Sequence, residues 1–271
     1  MKKTFLVVLM LFLLTGCFGN EQEENNEQPL EETPTEIVEG ETINVPGDYE
    51  TIGEAISAAN HGDEIIVAEG VYNENINFNG KNIKLTSSDP TNDEVVANTI
   101  ITGLGNGPVV RIDSGEGEQA VLTGFTITGG NYDHGGGINI GPQVSLTSPT
   151  ITYNVFEGNQ SNYGGAIYAH QSRAVIENNI FRNNSANNGG GAIYTSSNGD
   201  IIIRNNTFDS NHGGNFGGAI NVVLSSPTIT DNIFSNNEAD FAGGAISVGT
   251  DGNPTIENNE YFDNLPDDED L

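Results

Sequence analysis

One cysteine, Cys17, stands alone among the 271 residues, so no disulfide within the chain can hold it together. Basic side chains are nearly as scarce: 8 lysines and arginines face 38 aspartates and glutamates, a formal net charge of −30. A field of that sign repels nucleic acid and anionic polymers, which argues against a nucleic-acid partner. It suits a solvated exterior surface, a saline habitat or the binding of cations. Calcium is compatible with such a surface, yet neither a DxDxDG loop nor a GGxGxD repeat occurs, so no specific metal site is identified and no cofactor is implied. Long apolar runs are also missing. The run from Phe5 to Leu14 is too short to cross a bilayer as a helix.

Lys2 and Lys3 precede that run and Leu14-Thr15-Gly16-Cys17 follows it. A basic start, a short apolar core and small residues before a cysteine resemble a bacterial lipoprotein signal. The resemblance implies that residues 1–16 are removed and that Cys17 carries lipid. It also implies an extracytoplasmic protein held to the cell envelope, at the cell surface or outer membrane. An ordinary signal peptide with an incidental cysteine is the alternative. Loss of Lys2 and Lys3 leaves six basic residues against 38 acidic ones, a formal charge of −32. Residues 17–42 are glutamate-rich, contain Pro29 and Pro34 and show no apolar periodicity, so they are expected to form a disordered acidic tether.

Structure is expected from Ile43 onward. Thr51 and Glu54 have the spacing of a capping box, Ile52, Ala55, Ile56 and Ala59 share one helical face, and Gly62 offers a left-handed stop, which predicts one short amphipathic helix. The runs EIIVA, ENINF and NIKLT that follow read as strands separated by Glu69-Gly70 and Asn79-Gly80, with nothing helical after them. Downstream, the frame I-x-x-N-x-F-x-x-N begins at Ile151, Ile176, Ile203 and Ile229, and again at Ile256 with tyrosine for phenylalanine. Successive copies start 25, 27, 26 and 27 residues apart. Between them Gly-Gly-Ala-Ile ends at Ile167, Ile193, Ile220 and Ile246, with a Gly-Gly-Ile forerunner at Ile138. A repeat of that length with three strand-like runs is one turn of a parallel β-helix. Its apolar members are then stacked inward, and Asn154, Asn179, Asn206, Asn232 and Asn259 form a hydrogen-bonded ladder at one corner. The expected fold is all-β: a single right-handed parallel β-helix over residues 43–264 with a short N-terminal capping helix, followed by an acidic tail at 265–271.

The stretch DYETIGEAISAANHGDEIIVAEGVYNENINF, followed by GKNIKLTSSDP, resembles the opening of right-handed parallel β-helix proteins of the pectin lyase-like superfamily, in which a short helix closes the N-terminal end of the coils. The pairing of GGAI with FxxN is similar to the repeat of polymorphic outer-membrane proteins, which are surface adhesins. The first resemblance bears on fold more than on function, because one fold hosts many chemistries.

Superfamily members that cleave acidic polysaccharides use a basic residue to abstract a proton, with a cation balancing the uronate. Here Arg182 lies one coil from Glu157 and Asp209, Arg204 one coil from Glu177, and Arg173 matches Asp200, so each is expected to form a cross-strand ion pair. Arg111, Lys81 and Lys84 remain, without a local cluster of acids. The hydrolase pattern needs converging aspartates and a histidine, for which Asp113, Asp133 and His134 are the weak candidates. The segment EGVYNENI echoes the G-x-Y-x-E element of pectin methylesterases, but the later glutamine and paired-aspartate motifs are missing and there is no tryptophan.

Strand alternation turns Tyr168, Tyr194, Asn221 and Ser247 outward, with Asn139 above them and His170 two residues beyond Tyr168. Stacked tyrosines flanked by amides can grip a sugar chain; a stabilising cross-strand aromatic pair is the simpler reading of Tyr168 and Tyr194. Two functions follow. The first is a lipid-anchored binding or adhesive module for polysaccharide or cell-surface glycan, with Asn139, Tyr168, His170, Tyr194 and Asn221 as contacts. The second is a polysaccharide lyase or glycoside hydrolase. Oligomeric state is not legible.

Overall fold

The computed structural model describes residues 40–141, 146–197 and 199–271. The expected lipoprotein signal, Cys17 and nearly all of the expected acidic tether therefore lie outside the described residues. The remainder winds into a right-handed parallel β-helix of about seven turns.

Three parallel sheets form its walls, and in each the repeat spacing becomes strand register. In the first sheet Ile43, Ile65, Leu85, Leu122, Ile151, Ile176, Ile203, Ile229 and Ile256 are successive partners. In the second, Tyr72, Ile101, Ile127, Phe156, Phe181, Phe208, Phe234 and Tyr261 are. In the third, Ile76, Val110, Ile138, Ile167, Ile193, Ile220 and Ile246 are. From Phe156 to Phe234 the rings stack face to face with centroids 4.8 Å apart, the rung spacing of a sheet, so the aromatic column is as regular as the backbone beside it. Burial of these columns is the main driving force in a chain without disulfides.

The asparagine pairs divide their labour. The first member of Asn178-Asn179 has φ 57° and the first of Asn183-Asn184 has φ 54°, so these turn the corner in the left-handed region that asparagine tolerates. The second member points inward. Asn206 receives hydrogen bonds at Oδ1 from the Asn179 backbone and side chain (2.9 and 3.1 Å), and donates to Ile176 O, Arg204 O and Asn232 Oδ1. The expected ladder through Asn154, Asn179, Asn206, Asn232 and Asn259 is therefore present. A second, equally buried ladder runs through Asn159, Asn184, Asn211, Asn237 and Asn264. At the Gly-Gly corner, Gly190 has φ 65°, and a Cβ on Gly191 would lie 2.2 Å from the Gly218 carbonyl oxygen, so neither position accepts a side chain without strain.

The expected helix, α1, spans Ile52–Ala58, with Thr51 accepting from the Glu54 amide. It ends at Ala59 in extended backbone rather than at Gly62, and Lys81 Nζ donates to the carbonyls of Ile56 and Ser57 (2.7 and 2.8 Å). Ile52, Ala55 and Ile56 close the N-terminal end of the core. Two expectations need correction. A second helix, α2, spans Asp93–Asn98, started by Asn92 capping the amides of Glu94 and Val95; only Val96 on it is buried, which is why no apolar periodicity marks it. Residues 265–271 are not a free tail: Glu269–Asp270 pair in register with Ile246 and Ser247, and Tyr261 Oη donates to Glu269, because backbone pairing continues the third sheet where the apolar pattern has ended.

Replacing Asn206 by alanine takes the shared acceptor from the Asn179 backbone and side-chain amides and one of two donors from Asn232 Oδ1, and is expected to cost on the order of 3 kcal/mol in denaturant melts. The same change at the half-buried Asn259 in the last coil is expected to cost about 1 kcal/mol. Equal, small losses at both positions would contradict a cooperative ladder.

Candidate functional site

After Phe156 and its counterparts, the chain runs through a short fourth sheet made by Asn131–His134, Gln160–Tyr163 and Ser185–Gly189. It then turns at the glycine corner into the third sheet. Outward side chains of the two sheets meet across this corner, which makes it a groove. The His134 ring lies 4.7 Å edge-on from Tyr168, and Tyr163 lies 5.1 Å from Tyr194. Along the third sheet the outer file is Arg111, Asn139, Tyr168, Tyr194, Asn221, Ser247 and Asp270, one residue per coil.

Tyr168 and Tyr194 stack with centroids 5.7 Å apart and planes 10° from parallel, while His170 stacks on Tyr168 at 6.0 Å. His134, Tyr163, Tyr168, His170, Tyr194, Ser196 and Leu224 border a cavity of about 350 Å³. Burial raises the Tyr194 pKa to about 12, with Tyr168 and Tyr163 adding to the effect, so it is a neutral phenol whose hydroxyl can act as a donor. Burial, reinforced by His134, lowers the His170 pKa, so the imidazole is neutral near pH 7. Its Nδ1 lies 3.0 Å from Ser196 Oγ. Among the described residues no carboxylate holds the other ring nitrogen, so this pair lacks the third group of an acyl-transfer triad.

The weak catalytic candidates do not converge. Asp133 and His134 are consecutive in a strand and point to opposite faces: His134 joins the tyrosines, whereas Asp133 accepts from Asn162 Nδ2 at 2.7 Å on the outside of the short sheet. Asp113 is almost wholly buried and bonded to Arg111 at 2.9 Å. Arg111 also lies over the Tyr132 ring at 5.7 Å; burial opposes its charge, but the contacts with Asp113 and Tyr132 together outweigh this and raise its pKa.

Arg182 and Arg204 form the expected ion pairs with Glu157 (2.9 Å) and Glu177 (2.6 Å), away from the groove on the second and first sheets. Lys84 pairs with Glu64. Arg173 forms no ion pair with Asp200; register alone did not bring the two charges within reach.

Of the expected binding residues, Tyr168, His170 and Tyr194 lie together in the groove. Asn139 instead spends its Nδ2 on the His134 carbonyl, bracing the corner. Asn221 and Ser247 face outward from the sheet but are buried, because the segment carrying Phe216 closes over this part of it: a Cβ on Gly189 would lie 2.2 Å from Asn221 Nδ2 and 3.2 Å from the Phe216 carbonyl oxygen. Tyr163 was missed. Its signal was its place directly before a glycine pair, in register with His134.

Because His170 is held neutral in the fold, an unfolded chain takes up a proton near its ordinary value of 6.5 where the folded chain does not. The stability this provides is complete above that value and is lost as pH falls through the depressed folded value. Melts at about pH 7.5 and about pH 5.5 should therefore show a smaller acid-induced loss for His170→Gln than for the unaltered protein. Equal losses would assign the effect to other groups.

Residues 108–265 match the family model described as the right-handed β-helix region, and this span holds the whole aromatic groove. No curated protein matches the chain.

Proposed function

Since the chain belongs to the right-handed β-helix region family, whose coils can present one side chain per rung to a ligand lying along them, we propose that it is a glycan-binding surface module. The observation that carries this reading is the concave file of Tyr163, Tyr168, Tyr194, His134 and His170. Pyranose rings present apolar C–H faces to aromatic rings while their hydroxyls reach the groove walls. A sugar unit in an extended chain is about as long as one rung, roughly 4.8 Å, so successive units meet successive coils. Among the described residues no lysine or arginine lines the aromatic cavity, Arg111 on the outer file is bound to Asp113, and the chain is strongly acidic, so the favoured glycan is uncharged.

Lipid anchoring at Cys17 belongs to the same proposal and would place the groove outside the cytoplasmic membrane; its support is the Leu14-Thr15-Gly16-Cys17 sequence after a short apolar run. The similarity of the repeats to those of surface adhesins agrees with display on the envelope. Replacing Cys17 by serine is expected to move the protein from the membrane to the soluble fraction, and unchanged partitioning would remove the anchor from the reading.

A glycan array followed by calorimetry tests the binding. Replacing both Tyr168 and Tyr194 by alanine should weaken the best ligand by about tenfold to a hundredfold, with circular dichroism verifying the retained fold. Pectate and alginate with calcium should give no unsaturated products, and Arg182→Gln or Arg204→Gln should change stability by only about 0–1 kcal/mol. Unsaturated uronate formed by the protein and abolished by either arginine change would replace the binding module with a lyase.

A further inference from the structure

Below Tyr194 the groove deepens into a cavity of about 420 Å³, bordered by Tyr163, Tyr194, Phe216, Asn221, Val248 and Asp270 among others. Tyr163 and Tyr194 also border the aromatic cavity, so the two spaces share a wall. Asn221 is only 5% exposed, its Oδ1 is buried without a hydrogen-bond partner, and among the described residues its Nδ2 donates to none. The ten ladder asparagines show what this protein does with a buried amide that serves structure: Asn179 and Asn206, for instance, each use both ends. An unpaired buried amide oxygen costs about 1–3 kcal/mol, and this one persists one rung beyond the stacked tyrosines.

We infer that this cavity is the subsite for the acylamino group of an N-acylated amino sugar, and that the groove selects such glycans over plain hexose chains. The inference rests on the glycan reading above and names the class of sugar. A secondary amide with a methyl group needs one polar partner and one apolar wall. Asn221 supplies the first: with neither end of its amide held, a half-turn about its terminal bond offers either oxygen or nitrogen to the ligand. Phe216, which is 43% exposed, and Val248 supply the second. The charge of the cavity argues the same way, since Asp270 lines it and no lysine or arginine does, which disfavours carboxylated and sulfated sugars. A pyranose stacked on Tyr194 sets the next unit at the level of Asn221, roughly 4.8 Å further along the sheet.

Two probes that share a β-1,4-linked glucose backbone isolate the acylamino group: chitotetraose carries it on every ring and cellotetraose on none. Calorimetry with the intact protein should show chitotetraose bound about tenfold more tightly. Asn221→Leu, close in volume, should remove most of that preference by weakening chitotetraose far more than cellotetraose, with the melting temperature unchanged or raised because an unpaired buried amide oxygen has been removed. Asn221→Ser provides the same comparison should leucine fail to fold. Equal affinity for the two tetramers in the unaltered protein, or a preference that survives both substitutions, overturns the acylamino subsite and leaves glycan binding standing. Failure of every sugar on the array, the two tetramers included, overturns both.

Discussion

Everything in this protein depends on like stacking on like at the rung spacing of a parallel sheet. One coil alone cannot bury Ile203 and Phe208 or satisfy Asn206; each needs its equivalent above and below. Stability in such an array is close to a sum of coils and nearest-neighbour interfaces. The strict recurrence of isoleucine, phenylalanine and asparagine follows from that requirement, and so does the absence of disulfides: a continuous apolar column with two amide ladders takes their place. The surface is left free to vary, as the outer file shows by passing from Arg111 through two tyrosines to Asp270 while the inner file stays aliphatic through Ile246.

That division explains what was legible. The core was readable because it repeats: the 25- to 27-residue steps between Ile151 and Ile256 are the observed register, and the asparagine ladder is where the frame places it. A capping box gave α1 for the same local reason. What does not repeat was harder. The helix at Asp93–Asn98 buries one valine and leaves no periodic trace. Residues 265–271 look like a solvated tail by composition, yet backbone pairing recruits them. Arg173 shows the limit of register reasoning, since it and Asp200 precede the paired strands Val175–Glu177 and Ile202–Arg204, where no ladder holds the two charges opposite each other.

The groove was half legible. Alternation within one strand put Tyr168 and Tyr194 outside and aligned them, but the fourth sheet that faces them is made of the polar segments Asn131–His134, Gln160–Tyr163 and Ser185–Gly189, which carry no strand signature. Without it the corner has no opposite wall, so the position of Tyr163 before its glycine pair pointed to no partner and Asn221 looked exposed. The same missing wall made Asp133 and His134 seem a pair, when pleating sends them to opposite faces. Concavity arises from the left-handed turn at Gly164 and Gly190, where a glycine pair reads as a corner without revealing which way the corner opens.

Both amide ladders run one way. Asn154, Asn179 and Asn206 each give backbone and side-chain hydrogens to the oxygen of the following coil, and the series ends at Asn259 and Asn264, whose amides turn back to Ile229 and aside to Asp268. A chain of aligned amides is polar, with donors directed toward the C-terminal end, and its dipoles reinforce one another. The two ends of the solenoid are therefore inequivalent to unravelling. Peeling the last coil takes from the Asn232 backbone and side-chain amides their shared acceptor, Asn259 Oδ1, whereas opening the first ladder coil frees Asn179 Oδ1 and takes from Asn179 Nδ2 only one of its three acceptors, the Ile151 carbonyl. Mechanical tension on this protein accordingly meets a directional fastening rather than a symmetrical one.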